Sequence, residues 1–237
     1  MVPDFGYFLP LPLTREATHS AVTLFTFCLP LGLVTIWLFQ LLIKPAWCVV
    51  LPGGWRMRLR AEHPVARIGD WRVWLGAAAA VLAGAFTHLV WDAFTHEDGR
   101  GVRMLPFLDD LGPDIEGHTL HLYRLLQHAS SVLGLLVVIV AAWRWTHGAI
   151  RTAPAGAQEL GSRERHAWLA AYVVIPALFL LSSVIPGLHE PRPPWQTFGS
   201  FLSQLAFLGL GGTGISLTLV SALIRARVAL RQRSLDA

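Results

Sequence analysis

Charge is scarce in this chain of 237 residues: Asp, Glu, Lys and Arg together make up 14%, against about a quarter in soluble domains. With 54% hydrophobic residues and a mean hydropathy of +0.50, that shortage excludes an ordinary water-soluble domain and points to a membrane protein. Cysteine is nearly absent as well. Cys28 lies inside an apolar run and Cys48 just beyond it, so neither a disulfide framework nor a thiolate zinc site is available. No internal repeat or low-complexity tract is found. The opening "MVPDFGYFLP" lacks the basic segment and apolar core of a signal peptide.

What the chain does have is long apolar runs. Five are of the length that crosses a bilayer, which needs roughly 20 residues: Ala21–Ile43, Val73–Phe94, Leu125–Trp143, Ala167–Val184 and Phe198–Ile224. The expected fold is therefore all-α, a polytopic helical bundle forming one transmembrane domain over residues 1–237. Pro176 should kink the fourth span. "GLGGTG" (209–214) in the fifth allows close helix approach or a local break. "LPGGW" (51–55) and "APAGAQELGS" (153–162) read as loops.

The charges that remain are sorted by side. Fourteen of the 19 Lys and Arg fall in segment 44–72, segment 144–166 and the tail after residue 224, whereas ten of the 15 Asp and Glu lie on the opposite side, mostly in 97–117. By the positive-inside rule the basic side is cytoplasmic, which puts the N-terminus outside and the C-terminus inside. The formal charge of +4 is explained by this orientation and calls for no nucleic-acid partner; the expected partners are membrane lipids and a small-molecule or lipid substrate. The sequence leaves the oligomeric state open.

Seven of the ten histidines gather at the outer face: His19, His88, His96, His118, His121, His128 and His189, leaving His63, His147 and His166 inside. Asp4, Asp92 and Glu190 lie at the same level. In "THLVWDAFTHEDG" (87–99), His88, Asp92 and His96 are four residues apart, a step that drifts by only about 40° on a helix and stacks them in one stripe. Imidazole and carboxylate together suit Zn²⁺, or Mn²⁺ or Fe²⁺, without any thiolate. Asp4, His19, His88, Asp92, His96 and His128 are the expected metal ligands, with Ser20, Thr95 and Ser130 supporting them. An ionisable residue within a span is costly enough to suggest a role. The plainer alternative is hydrogen bonding between helices, for about 1 kcal/mol or less.

Four stretches, "VPDFGYFL" (2–9), "THS" (18–20), "THLVWDAFTHEDG" (87–99) and "LYRLLQHASSVLGLL" (122–136), resemble an uncharacterised bacterial inner-membrane family known as a domain of unknown function. That family is distantly similar to the YdjM-like membrane-bound metal-dependent hydrolases, which share the Pro-Asp, Thr-His-Ser and His-plus-Asp patterns. The resemblance covers the chain in order. It implies metal binding by Asp4, His19, His88, Asp92, His96 and His128, and a hydrolase. Family members usually carry a further helix with a Ser-His motif ahead of the Pro-Asp. This chain starts at the Pro-Asp, so either a sixth, N-terminal span or one ligand is expected to be missing.

The combined expectation is an inner-membrane protein with a metal site at the periplasmic face, hydrolysing a phosphoester, lipid or envelope precursor. The metal would lower the pKa of water toward about 7 and polarise the substrate. Asp92 or His121 would act as general base, and Arg124 would neutralise a phosphate or carboxylate, unless it only snorkels to the interface. Two other classes remain open. A proton- or metal-coupled transporter would use the stripe as a relay, and a non-catalytic scaffold would use it for packing. The sidedness is directly testable. In a background lacking Cys28 and Cys48, single cysteines within 97–120 should react with an impermeant maleimide on intact cells, and those within 44–72 only after permeabilisation. The opposite pattern would invert the topology.

Overall fold

The computed structural model describes residues 3–4, 20–62, 69–115, 118–148, 160–187 and 194–235. Seven helices carry the fold: α1 (Ala21–Val50), α2 (Gly53–Glu62), α3 (Trp71–Thr95), α4 (Arg100–Met104), α5 (Leu122–His147), α6 (Ser162–Gly187) and α7 (Pro194–Leu235). A 3₁₀ turn (Pro106–Leu108) and a small antiparallel ribbon, β1 (Leu111–Ile115) with β2 (His118–His121), link α4 to α5. The chain is thus all-α in class, and the described parts of 97–120 form a folded cap rather than a bare acidic loop.

Four stretches are long and apolar enough to cross a membrane: α1, α3, α5 and Gly209–Ser234 of α7. Together they give the chain the character of a multi-pass membrane protein. Only helices whose backbone bonds close internally can do this, because hydrocarbon offers no partner to a free N–H or C=O. Their exposed surfaces agree with that medium. No residue in the apolar window of α5 is buried, and Val132, Leu133, Leu135, Leu136, Val137, Val138, Ile139 and Val140 all point away from the protein. The expected fourth span, 167–184, lies within α6, a single helix of 26 residues.

α1 runs past the expected end at Ile43 to Val50 despite Pro45. It contains two π-helical turns, Leu24–Cys28 and Phe39–Ile43, each ending just ahead of a proline, Pro30 and Pro45. Proline removes a donor and crowds the carbonyl four residues back, and a widened turn beside it gives the ring room. A reciprocal capping box between Ser20 and Thr23 starts the helix. "GLGGTG" makes no break either: α7 is helical throughout, Gly209 packs on Leu180, and Thr213 donates to the Gly209 carbonyl at 2.6 Å. "LPGGW" is a loop only at Leu51 and Pro52, with Gly53 already in α2.

Two apolar clusters tie the helices together. Ala46 and Val50 of α1 meet Val220 and Ile224 of α7, flanked by Trp168, Leu169 and Tyr172 of α6. Tyr172 Oη also shares a hydrogen bond with Ser221 Oγ at 2.7 Å, and Glu164 accepts from Arg231 at 2.7 Å. Toward the opposite end of α1, Leu24 and Cys28 pack on Ala85 of α3, with Leu82 and Leu89 beside them. Between these two regions Gly32 lets α1 approach α3 closely. A Cβ added there would lie 2.6 Å from Val81 Cγ1, and a β-branched side chain has little rotameric freedom to yield. Gly32→Ala should therefore cost about 1–3 kcal/mol and lower the thermal unfolding midpoint. Adding Val81→Ala should recover most of the loss. Gly84→Ala, with open space around it, is the control that should not destabilise.

Candidate metal centre and its adjoining cleft

The last two turns of α3 carry the stripe. The helix ends at Thr95, and His96 is its C-cap with extended backbone (φ −125°, ψ 144°). His88 and Asp92 are thus stacked on the helix, while His96 swings at its end. Asp92 joins them: its Oδ2 lies 3.6 Å from His88 Nε2 and its Oδ1 lies 3.8 Å from His96 Nδ1. From the N-terminal turn, Asp4 places Oδ2 3.0 Å from the same His88 Nε2. The ring of His96 turns its Nδ1 toward the Asp92 carbonyl (3.2 Å) and its Nε2 toward Gln127 Nε2 (3.4 Å). If Nδ1 carries the proton, it donates to the carbonyl and Nε2 accepts from the Gln127 amide.

Among the described residues, Asp4, His88 and Asp92 form a group whose donor atoms could share one cation, all lying within 4.8 Å of one another. Two ligands on an ion at about 2.1 Å stand roughly 3.0–3.5 Å apart in octahedral or tetrahedral geometry. Of the separations about His88 Nε2, 3.0 Å falls within that range and 3.6 Å just above it. The donor set fits as well: two carboxylates and one imidazole, half-buried, concentrate negative charge that a divalent ion would offset. The competing arrangement is a protonated His88 clamped between two carboxylates, which needs no metal.

The structure separates the expected ligands. Asp4, His88 and Asp92 come together, and His96 stands next to them through Asp92. His128 is exposed and lies outside the group. His19 falls outside the described residues. His121 sits elsewhere, its Nδ1 2.9 Å from the Asp109 carbonyl and 3.3 Å from the Asp109 carboxylate, its ring stacked on Tyr123. Of the supporting residues, Thr95 is buried with Oγ1 3.4 Å from His96 Nδ1. Ser20 caps α1. Ser130 accepts from the Trp91 indole at 3.1 Å and so ties α5 to α3.

Beside His96 opens a cleft of about 240 Å³, lined by Thr95, His96, Glu97, Asp98, Tyr123, Arg124 and Gln127. Arg124, the expected anion-binding residue, is one of those lining residues. Its Nη2 lies 3.5 Å from Glu97 Oε2, its Nε donates to Tyr123 Oη at 3.2 Å, and its guanidinium lies over the Tyr123 ring. Glu97, Tyr123 and Gln127 are the residues that spacing did not single out. Tyr123 is held by an apolar cluster of Val102 and Leu108 with Phe94 against it, so the cap over 97–121 builds the floor of the cleft.

A family model described as "Domain of unknown function (DUF4184)" matches residues 1–222. No curated protein and no solved structure matches the chain.

The roles of Tyr123 and Glu97 can be separated by thermal unfolding. Tyr123→Ala empties a buried site and should cost about 3–5 kcal/mol, whereas Tyr123→Phe, losing only hydroxyl contacts, should cost about 1 kcal/mol. Glu97→Gln should change stability by less than about 1 kcal/mol, because its ion pair with Arg124 is largely exposed. A large loss in Glu97→Gln would make that pair a structural clasp instead of a displaceable contact.

Proposed function

We propose that this protein, which belongs to that domain-of-unknown-function family, is a five-span inner-membrane protein using Asp4, His88 and Asp92 to hold a divalent metal for hydrolysis of a phosphoester, lipid or envelope precursor at its outer face. The observation that carries the reading is the convergence of Asp4 and Asp92 on one nitrogen of His88, next to a cleft that contains an arginine. In this reading α6 joins the four other spans through its apolar stretch 167–184, which pairs along α7. Zn²⁺ suits the donor set, and Mn²⁺ or Fe²⁺ would be accepted by it.

A cation in this centre supplies Lewis acidity toward the substrate oxygen. The chain's own residues do the rest. Arg124 meets the anionic group of the substrate, exchanging its exposed contact with Glu97 for a charge-assisted hydrogen bond. Gln127 fixes the His96 ring. With Nδ1 turned toward Asp92, His96 would take a proton on Nε2 by giving up its contact with the Gln127 amide, and Asp92 would stabilise the resulting charge. His121 is held on Asp109, so this reading assigns it to the cap and gives the base role to His96 and Asp92. Tyr123 and the apolar cluster beneath it exclude water from one side.

Metal analysis of the purified chain tests the centre. Asp4→Ala, His88→Ala and Asp92→Ala should each lower bound metal at least tenfold, since a small site loses most of its affinity with one ligand. His147→Ala and His166→Ala should retain it. Equal metal content in all five would reduce the cluster to a packing contact. Asp92→Asn tests the chemistry: the amide is nearly isosteric but carries no charge. Turnover on phosphoester and lipid substrates in proteoliposomes with Zn²⁺ or Mn²⁺ should fall about 10²-fold or more, with the unfolding midpoint little changed. If the wild type turns over none of them while Asp92→Asn abolishes a transmembrane ion flux, a transporter takes the hydrolase's place.

A further inference from the structure

The opposite end of α5 presents a second polar arrangement, independent of the metal reading. Arg124 and Trp145 are 21 residues apart on one helix, about 32 Å at 1.5 Å per residue. There α2 folds back onto α5. Trp55 of α2 packs on Trp145 of α5 with ring centroids 5.6 Å apart, and the guanidinium of Arg58 lies 5.7 Å above the same Trp145 ring. Arg58 also contacts Gly148, where an added Cβ would meet Nη2 at 3.4 Å. Gly148 donates its N–H to the carbonyl of Arg144, closing the last turn of α5.

Arg58 is only 5% exposed, yet its Nε and Nη2 have no hydrogen-bond partner among the described residues. These two nitrogens form one edge of the guanidinium, with parallel N–H bonds that match two oxygens of a phosphate or carboxylate. A buried cation normally has every donor satisfied, because desolvating one without a partner is expensive. The Trp145 face offsets part of the charge, but it satisfies no N–H. The side chain is therefore held in place by aromatic packing with its two-pronged edge unspent. Tryptophans mark the headgroup level of a bilayer, and Trp145 lies against the face of this guanidinium with Trp55 packed on it.

We propose that Arg58 anchors a phosphate-binding site between α2 and the C-terminal end of α5, taking either the phosphate diester of an anionic lipid headgroup or a free phosphate. The site requires the Nε–Nη2 edge and not merely positive charge. The bulk of the basic residues on this face serve orientation, whereas this one is buried, oriented and unpaired.

The test uses the full purified chain in detergent at constant ionic strength. Thermal unfolding is followed while titrating dihexanoyl phosphatidylglycerol, inorganic phosphate, acetate or chloride. Phosphatidylglycerol should raise the midpoint saturably, and Arg58→Gln should weaken the apparent affinity at least tenfold, with Arg225→Gln changing it less than twofold. Saturable stabilisation by inorganic phosphate alone, abolished in Arg58→Gln, would equally support the site and assign its ligand to the soluble pool. Should Arg58→Gln fail to fold, Arg58→Lys keeps the charge without the paired edge and should still weaken binding severalfold. The proposal is overturned if chloride or acetate stabilises as well as either phosphate, or if the Arg58 variants bind as tightly as the wild type.

Discussion

Hydrocarbon has no hydrogen bond to offer, and most of this molecule follows from that constraint. A chain so poor in charge must close its backbone bonds within helices, and four of its helices have the length and polarity for a bilayer. The same constraint sends ionisable side chains to helix ends. The polar arrangements described above accordingly lie at the C-terminal end of α3 and at the two ends of α5, with apolar, outward-facing side chains between them along α5. α1 tolerates Pro30 and Pro45 by widening the turn ahead of each, which keeps the helix continuous where a break would leave carbonyls unpartnered.

At one end, Asp92 is the centre of the arrangement. Its two oxygens face different imidazoles, His88 on the helix and His96 at its cap, so one carboxylate couples the Asp4–His88 pair to the wall of the cleft. Such a hub is stable in two ways. A protonated imidazole can sit between two carboxylates, or a cation can replace the proton. The donor atoms all lie within 4.8 Å of one another, close to the spacing the second needs, and Arg124 lines the neighbouring cleft. The proposed hydrolase uses both features, with His96 between them.

At the other end, α2 supplies what a plain loop could not. Its register on α5 stacks Trp55 and Arg58 on Trp145 and turns a residue that would serve orientation into a buried group with one free edge. The two ends thus treat arginine differently: Arg124 is exposed and paired with Glu97, while Arg58 is buried with Nε and Nη2 unpaired.

The sequence by itself determined the helical class, the positions of α1, α3, α5 and α7, and the His88–Asp92 stripe, because hydropathy and a four-residue step are local properties of the chain. It also brought Asp4 into consideration, and the structure sets that residue 3.0 Å from His88. Rotation and folding-back were decided only in three dimensions. His128 looked like the ligand of α5, but adjacent helical residues point about 100° apart, and it is Gln127 that reaches His96 while His128 is exposed. His121 was drawn away by Asp109 in the cap, a contact twelve residues distant along the chain. Tyr123 became the floor of the cleft because α4 and the 3₁₀ turn fold under it. Gly53 read as part of a loop and the glycines of 209–214 as allowing either close helix approach or a break, yet all lie within helices, since packing outweighs a propensity cost of about 1 kcal/mol per residue.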